Sequence, residues 1–436
     1  MNWNRREFLQ SVGAFAGSAL AAIGLGAHTV RATERAPEQA PAEHEGHDME
    51  AMEGMEAPAE PGQPYLGGHG SMMFMRGHNM MGAYTEPTGA PSDDDVDYRT
   101  FRIHFEIAEH ELLPGMTFKA FTFNGKIPGP EFRVKEGEWI KVEATNRTEE
   151  MHTIHWHGVD VPYTMDGVPM ITQDPIHPGE TFVYRFQAKP AGTRFYHCHW
   201  GTPLHMSSAL HGAFIIDSDD DPIRQDYPYE RDYTLILESW DVDFTRRELN
   251  ALLKGMKQVN RLMAQGRLSP ATHGFFRNFA EFERAVDSGD YIPPYVRGAA
   301  PFRRWQPNFF GINGKCYPAV DPRSLLKIKE GEWIRVRIIN GGMGLHHMHL
   351  HGHQFVHVAQ DGNPLEHPLR LNTVSILPGT TVDIMIFGDN PGFWTFHDHN
   401  TLNAQNNGIY PGGMITLMVY EDMASPPYVP SVSLIQ

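Results

Sequence analysis

Four histidine pairs in this chain share one spacing: His155/His157, His197/His199, His349/His351 and His397/His399 are each separated by a single residue. On a β-strand, residues i and i+2 point to one face and i+1 to the other. Each pair would therefore aim two imidazoles at one point and its central side chain at the opposite side. Eight convergent imidazoles bury badly unless metal occupies their lone pairs, and imidazole suits copper well. The central residue differs between FYHCHW (195–200) and TFHDHN (395–400). Cys198 faces away from its flanking histidines and can ligate a second, separate metal, with His152 and His205 completing a His₂Cys set. That set with a weak axial partner is the signature of a blue, type 1 copper. Cys198 is also joined covalently to His197 and His199, so an electron arriving there has only a few bonds to cross. Asp398 offers a hard carboxylate where a soft thiolate is required, so the second frame keeps its histidine pair and loses the blue site. His346 matches His152 without a cysteine partner, and is expected to be a leftover, exposed or hydrogen-bonded.

The elements that must position these residues are written twice. VKEGEWIKV (134–142) returns as IKEGEWIRV (328–336), and Asn124-Gly125-Lys126 returns as Asn313-Gly314-Lys315. HPGETFVYRFQAKPAGTRFYHCH (177–199) returns as LPGTTVDIMIFGDNPGFWTFHDH (377–399). From Tyr98 the chain runs in short alternating stretches divided by Gly/Pro turns, which is a strand rhythm and points to sandwiches or barrels. An all-β protein of two copies is expected, over residues 97–222 and 229–425, and Tyr98–Phe105 matches Asp232–Leu237 as an early strand. The second copy carries an insertion over about residues 241–305, with helical spacing at 244–266 and again at 280–289. It either caps a barrel end or forms a lid over a substrate site.

Composition narrows the function. At 436 residues the chain is long enough for two core-bearing domains, and its formal net charge of −17 argues against nucleic acid. Two cysteines argue against a disulfide framework, and 25 His with 22 Met suggest metal traffic. Cys316 has no histidine frame and reads as a buried, inert thiol. Residues 1–32 join a basic head to a Gly/Ala-rich run too polar for a stable span, and Arg5-Arg6-Glu7-Phe8-Leu9 resembles the twin-arginine export signal. A periplasmic protein without a membrane span in its mature form is expected. Residues 33–96 cannot bury much apolar surface. They carry Met49, Met52, Met55, Met72, Met73, Met75, Met80 and Met81 with His44, His47, His69 and His78. Thioethers favour Cu(I), so this arm is either a copper collector or a spacer of biased composition.

The motifs HTIHWHG, FYHCHW…LHM, HHMHLHG and FHDH resemble, in order, those of the multicopper oxidases, and the two-copy length resembles their two-domain, small laccase-like branch. The resemblance covers roughly residues 98–422. It implies two cupredoxin domains and four copper ions per chain: one type 1, one type 2 and two type 3. It implies His155 and His349 as type 2 ligands, and His157, His197, His199, His351, His397 and His399 as type 3 ligands. Family spacing puts the axial position of the blue site at Leu210, which would not ligate, with Met206 the competing candidate. Asp166, in TMDGVPM, stands where family members with this spacing have a carboxylate that relays protons to the oxygen site. Larger members carry the blue cysteine in their last domain, and here it sits in the first. The function implied is one-electron oxidation of a substrate (Cu(I), a phenol or another metal ion) coupled to four-electron reduction of O₂ to water. A homotrimer with oxygen sites between subunits is implied as well. The alternatives are a copper nitrite reductase or a copper-sequestering resistance protein.

Overall fold

A computed structural model describes residues 91, 95–265, 284 and 305–423. The expected export signal, almost all of the Met-rich arm and nearly all of the 280–289 segment lie outside the described residues.

The alternation read from Tyr98 becomes a strand because Ile103 and Phe105 turn inward while Arg102 stays exposed. The first sandwich is built from β1 (Arg99–Leu113), β2 (Met116–Phe123), β3 (Phe132–Lys135), β4 (Trp139–Asn146), β5 (Ile154–His157), β6 (Thr181–Gln187), β7 (Gly192–Cys198) and β8 (His211–Asp217). One sheet has the order β2-β1-β4-β6 and the other β3-β8-β7-β5. Phe105, Phe123, Trp156, Tyr184, Phe186 and Phe214 are buried together in its core. Helices α1 (Thr202–Ser207) and α2 (Pro222–Asp226) flank β8.

The second sandwich repeats the plan with longer sheets. Its strands are β9 (Tyr229–Trp240), β10 (Phe309–Ile312), β11 (Leu326–Ile328), β12 (Trp333–Asn340), β13 (His346–Leu350), β14 (Phe355–Gln360), β15 (Asn363–Leu371), β16 (Thr373–Ile376), β17 (Thr381–Phe387), β18 (Phe393–Asp398) and β19 (Ile415–Tyr420). The sheets run β10-β9-β12-β17-β14-β15 and β11-β19-β18-β13-β16. β1 lies parallel to β4 as β9 lies parallel to β12, so the early strands of the two copies hold equivalent places. The repeated Asn-Gly turns explain part of this equivalence. Asn124 and Gly125, and again Asn313 and Gly314, all have positive φ, the pair of left-handed residues that a tight hairpin turn demands. Asn124 Oδ1 accepts from His104 N at 2.7 Å and Asn313 Oδ1 from Ile236 N at 2.8 Å, tying each turn to its early strand.

Two features join the sandwiches. The first is helix α3 (Val242–Ala264), the described part of the insertion. It sends Phe244 and Leu249 from the second copy into the core of the first, beside Leu204 and Leu210, and Thr245 Oγ1 donates to Ser207 O at the end of α1. The arrangement is that of a cap over the first sandwich. The second is a seam of apolar and ionic contacts. Phe195, Ala213 and Ile215 pack on Ile236 and Ile339, and Cys316 is fully buried in a second cluster with Leu112, Phe118 and Trp240. Between them Arg133 reaches Asp217 at 2.6 Å and Asp232 at 2.7 Å, and Arg337 reaches Asp232 at 2.8 Å and Thr193 Oγ1 at 2.9 Å. Thr193 Oγ1 donates onward to Asp383 at 2.7 Å, which also holds Arg335 at 2.5 Å.

Candidate metal centre

The Cys198 cluster assembles on three elements. His152 follows β4, Cys198 ends β7, and His205 lies on α1. Their ligand atoms all fall within 4.8 Å of one another, and all three residues are buried. His152 Nδ1 is 3.4 Å from Cys198 Sγ and His205 Nδ1 is 3.2 Å from it. Thr148 donates its hydroxyl hydrogen to Asn146 Oδ1 at 2.9 Å and thus accepts from His152 Nε2 at 2.8 Å, which leaves the Nδ1 lone pair facing the sulfur. Burial pushes the Cys198 thiol up to about 12 and His205 down to about 3. Two neutral imidazoles and a thiol sealed from water form a donor set that fits a cation able to hold the sulfur as thiolate. Leu210 is fully buried in the same core as Cys198, and its carbonyl accepts from Cys198 N at 3.1 Å. Met206, the competing axial candidate, is partly exposed and outside that core.

On the opposite side of β7 the first tetrad gathers from β5 and β7, whose register pairs His155 with His197. The ring centroid of His155 is 5.6 Å from that of His157, 5.3 Å from His197 and 5.6 Å from His199. The second tetrad repeats this on β13 and β18. There His349 lies 4.9 Å from His351, 5.8 Å from His397 and 5.3 Å from His399, centroid to centroid. His351 and His397 bring their Nε2 atoms to 2.9 Å.

The rings are also fixed in tautomer. A carbonyl can only accept, so the Nδ1–H of His155 donates to Asp166 O and that of His349 to Asn372 O, both at 2.8 Å. His197 donates in the same way to Cys198 O at 3.0 Å and His397 to Asp398 O at 2.9 Å. Each of these four rings keeps Nε2 for another partner, the usual outer-shell pattern of metal-bound histidine. His157 Nδ1 is buried with no hydrogen-bond partner, and Nδ1 of that ring is available as a donor atom. Burial holds His197 at about 3 and His157 at about 4, so neither ring loses its lone pair to a proton at neutral pH. Among the described residues, the ring contacts of each tetrad stay within its own sandwich.

Asp166 closes a short helical turn (Tyr163–Met165) and sits half-exposed beside the first tetrad, its Oδ1 3.3 Å from His155 Nδ1. The hydrogen bond from His155 holds its carboxyl below the usual range. The turn can pack this closely only because residue 167 is glycine. Its φ is +80°, and a Cβ there would overlap Ile154 O on β5.

Several members of the site escape a reading by motif. Asn146 and Asn340 end the repeated strands β4 and β12. Each amide donates to two carbonyls, Glu150 O and Ile176 O in one copy, Gly344 O and Ile376 O in the other. They shape the loops that carry His152 and His346, and their shared place in the repeat is the signal that would have found them. Asn403 is less visible, because it follows Asp398 by five residues where His205 follows Cys198 by seven. His346 is fully buried, with Nδ1 2.7 Å from Asp398 Oδ2.

Comparison with known proteins agrees with this geometry. Two multicopper oxidase family models match the chain, over residues 106–221 and 294–411. The chain belongs to the multicopper oxidase family, and its two sandwiches have the cupredoxin arrangement. It is 30% identical to copper resistance protein A of Escherichia coli over 63% of this chain and 44% of that relative. It is 30% identical to laccase-15 of Oryza sativa subsp. japonica, over 62% of this chain and 39% of that relative. The chain thus spans less than half the length of these curated relatives. A blue copper oxidase from Nitrosomonas europaea superposes with a TM-score of 0.60 at 30% identity, covering 75% of this chain and 87% of that one. No helix among the described residues is long and apolar enough to cross a membrane.

Proposed function

We propose that this chain couples one-electron oxidation of a small reductant to four-electron reduction of O₂ to water. His152, Cys198 and His205 would hold a type 1 copper, with Leu210 as a non-ligating axial neighbour. His155 and His349 would hold a type 2 copper, and His157, His197, His199, His351, His397 and His399 two type 3 coppers, four ions per chain. Bound copper would supply the one-electron steps and the Lewis acidity that O–O cleavage needs. The single observation carrying this reading is that β7 presents Cys198 to one buried His₂ set and His197/His199 to a tetrad behind it. The protein's own part is to fix imidazole tautomers, exclude water from Cys198, and offer Asp166 as a proton relay beside His155. Four protons are consumed per O₂, so a positioned carboxylate has a clear task.

Each tetrad supplies four histidines, and the two are not in ring contact within one chain. Pairing the first tetrad of one subunit with the second of the next gives a closed head-to-tail ring, and the resemblance to two-domain oxidases makes it a homotrimer. Apolar side chains in the segments flanking the second tetrad support a buried face: Leu377 is 57% exposed, Leu402 66% and Ile409 72%. The division into domains 97–222 and 229–425 is supported by sheets that, among the described residues, do not mix strands of the two copies. Export by the twin-arginine pathway to the periplasm, and a Met-rich arm that gathers Cu(I), complete the reading from sequence.

A nitrite reductase would need one electron and one catalytic copper, for which two full tetrads are more ligands than the chemistry uses. A sequestering protein would have no use for the strand that links Cys198 to its neighbouring histidines. The test is to measure O₂ uptake by copper-loaded protein with Cu(I), a phenol and Mn(II) as donors, and anaerobic nitric oxide release with the same donors. Nitric oxide with negligible O₂ uptake would overturn the oxidase reading.

A further inference from the structure

The second sandwich builds a fully hydrogen-bonded centre at the place where the first has its thiol. Cys198 N donates to Leu210 O at 3.1 Å, and Asp398 N donates to Met414 O at 3.0 Å, so the two residues and their axial neighbours correspond. His346 and Asp398 are fully buried, and Asn403 is 6% exposed. All four acceptor directions of the carboxylate are used. Oδ2 accepts from His346 Nδ1 and Asn403 Nδ2, both at 2.7 Å. Oδ1 accepts from His347 N at 3.1 Å and Asn400 N at 2.9 Å. Because His346 Nδ1–H donates to the carboxylate, its Nε2 accepts from Ser239 Oγ at 3.1 Å, and no lone pair of that ring is left for a metal.

These bonds join β13, the end of β18 and the loop that follows. β13 carries His349, and β18 carries His397. His399 is bracketed, since Asp398 and Asn400 on either side are tied together through Oδ1, and its own N donates to His347 O at 2.7 Å. In the first sandwich the same three segments meet at a sulfur, whose neighbours stand at 3.2–3.6 Å. A thiol is a weak hydrogen-bonding group.

We propose that Asp398, anchored by His346 and Asn403, is a positioning residue for the second tetrad, replacing with hydrogen bonds the cross-link that a metal-bound thiolate gives the first. The second half-site is therefore cross-linked before any metal arrives, whereas the Cys198 side of the first, held only by weak contacts to sulfur, would gain its cross-link from a bound ion. His346 is a working member of this centre and not a leftover. The inference rests on reading the tetrads as copper-holding, but its first test does not.

That first test is amide hydrogen exchange on the metal-free full chain, repeated after adding Cu(II). The segment 395–403 is expected to be protected without metal and unchanged by it, while 196–206 gains protection on metal addition. Protection of 395–403 that appears only with copper would overturn the proposal. The second test titrates copper into Asp398→Ala and Asp398→Asn chains. Asp398→Ala should lose about 10–100-fold in affinity for tetrad copper, the usual cost of removing an outer-shell partner, with the blue band at Cys198 intact. Asp398→Asn keeps an oxygen for the amides of His347 and Asn400, and should recover part of that loss. Wild-type tetrad affinity in Asp398→Ala would overturn the positioning role. If the alanine chain fails to fold, the exchange experiment on the unaltered chain decides alone. One copper per wild-type chain would instead refute the oxidase reading and leave the exchange result standing.

Discussion

Cys198 and Asp398 are one strand position built twice, each with its amide bonded to the carbonyl of a fully buried residue, Leu210 or Met414. Only the first has two imidazole Nδ1 atoms facing a sulfur. Cys198→Ser should therefore abolish the intense visible band of a copper–thiolate bond while the tetrads keep their metal. Absorbance and copper content measured together check this. Bleaching by Asp398→Ala with Cys198 intact would mean that the roles of the two copies had been exchanged.

Asp166 touches the first tetrad through His155, at 3.3 Å. Asp166→Asn should slow O₂ turnover by roughly 10²-fold, the scale of a lost general acid–base group, and leave the blue spectrum unchanged. Single-turnover reduction of the blue centre should stay at the wild-type rate, because that step moves no proton through residue 166.

The ionic seam ties the two sandwiches together. Asp232 holds Arg337, itself 2% exposed, and Arg133 across the boundary. Burial alone would raise the Asp232 pKa, but Arg337 and Arg133 more than offset this and hold it below the ordinary value. Asp232→Asn takes the nearest carboxylate from the buried Arg337, which keeps only Asp383 at 3.6 Å and Asp217 at 3.7 Å, and should cost about 1–3 kcal/mol in denaturant unfolding. A depressed folded-state pKa gives stability that is present above the unfolded value near ~4 and lost as pH falls through the folded one. The gap between wild type and variant should thus be flat at neutral pH and close in acid.

Leu402 follows the second tetrad and is 66% exposed. In a closed ring it would be covered by the neighbouring subunit, so Leu402→Arg should shift light scattering from trimer to monomer. Copper at the tetrads should fall in parallel while the blue band persists. A wild-type monomer that carries four coppers and consumes O₂ would refute the ring.

Much of the site was legible because strand geometry is periodic. His-X-His needs no tertiary information to place two imidazoles on one face, and the doubled EGEW and Asn-Gly-Lys segments located both sandwiches. The hydrogen-bond partners were harder to see. Asn403 finds Asp398 through a loop whose length differs between the copies, and Ser239 finds His346 from β9, more than a hundred residues away in sequence, so no spacing rule reveals either. The seam was invisible for another reason. Arg133, Arg337 and Asp383 belong to no motif, and only the folded chain sets the buried Arg337 and Asp383 against Thr193 of the other sandwich. The cap was half visible: helical spacing marked α3, while its place over α1 depended on Phe244 and Leu249 finding the other copy's core.

That cap has a kinetic meaning. His152, Cys198 and His205 are each no more than 1% exposed, so a reductant can never collide with the atoms that would bind the blue copper. In the proposed oxidase, electrons would have to tunnel through the intervening protein, and tunnelling rates fall exponentially with the gap while rising with driving force. Discrimination among donors would then depend on how near they come to rest on the outer surface and on their potential. A snug pocket around the donor would not be required, and one buried centre would serve chemically unlike reductants.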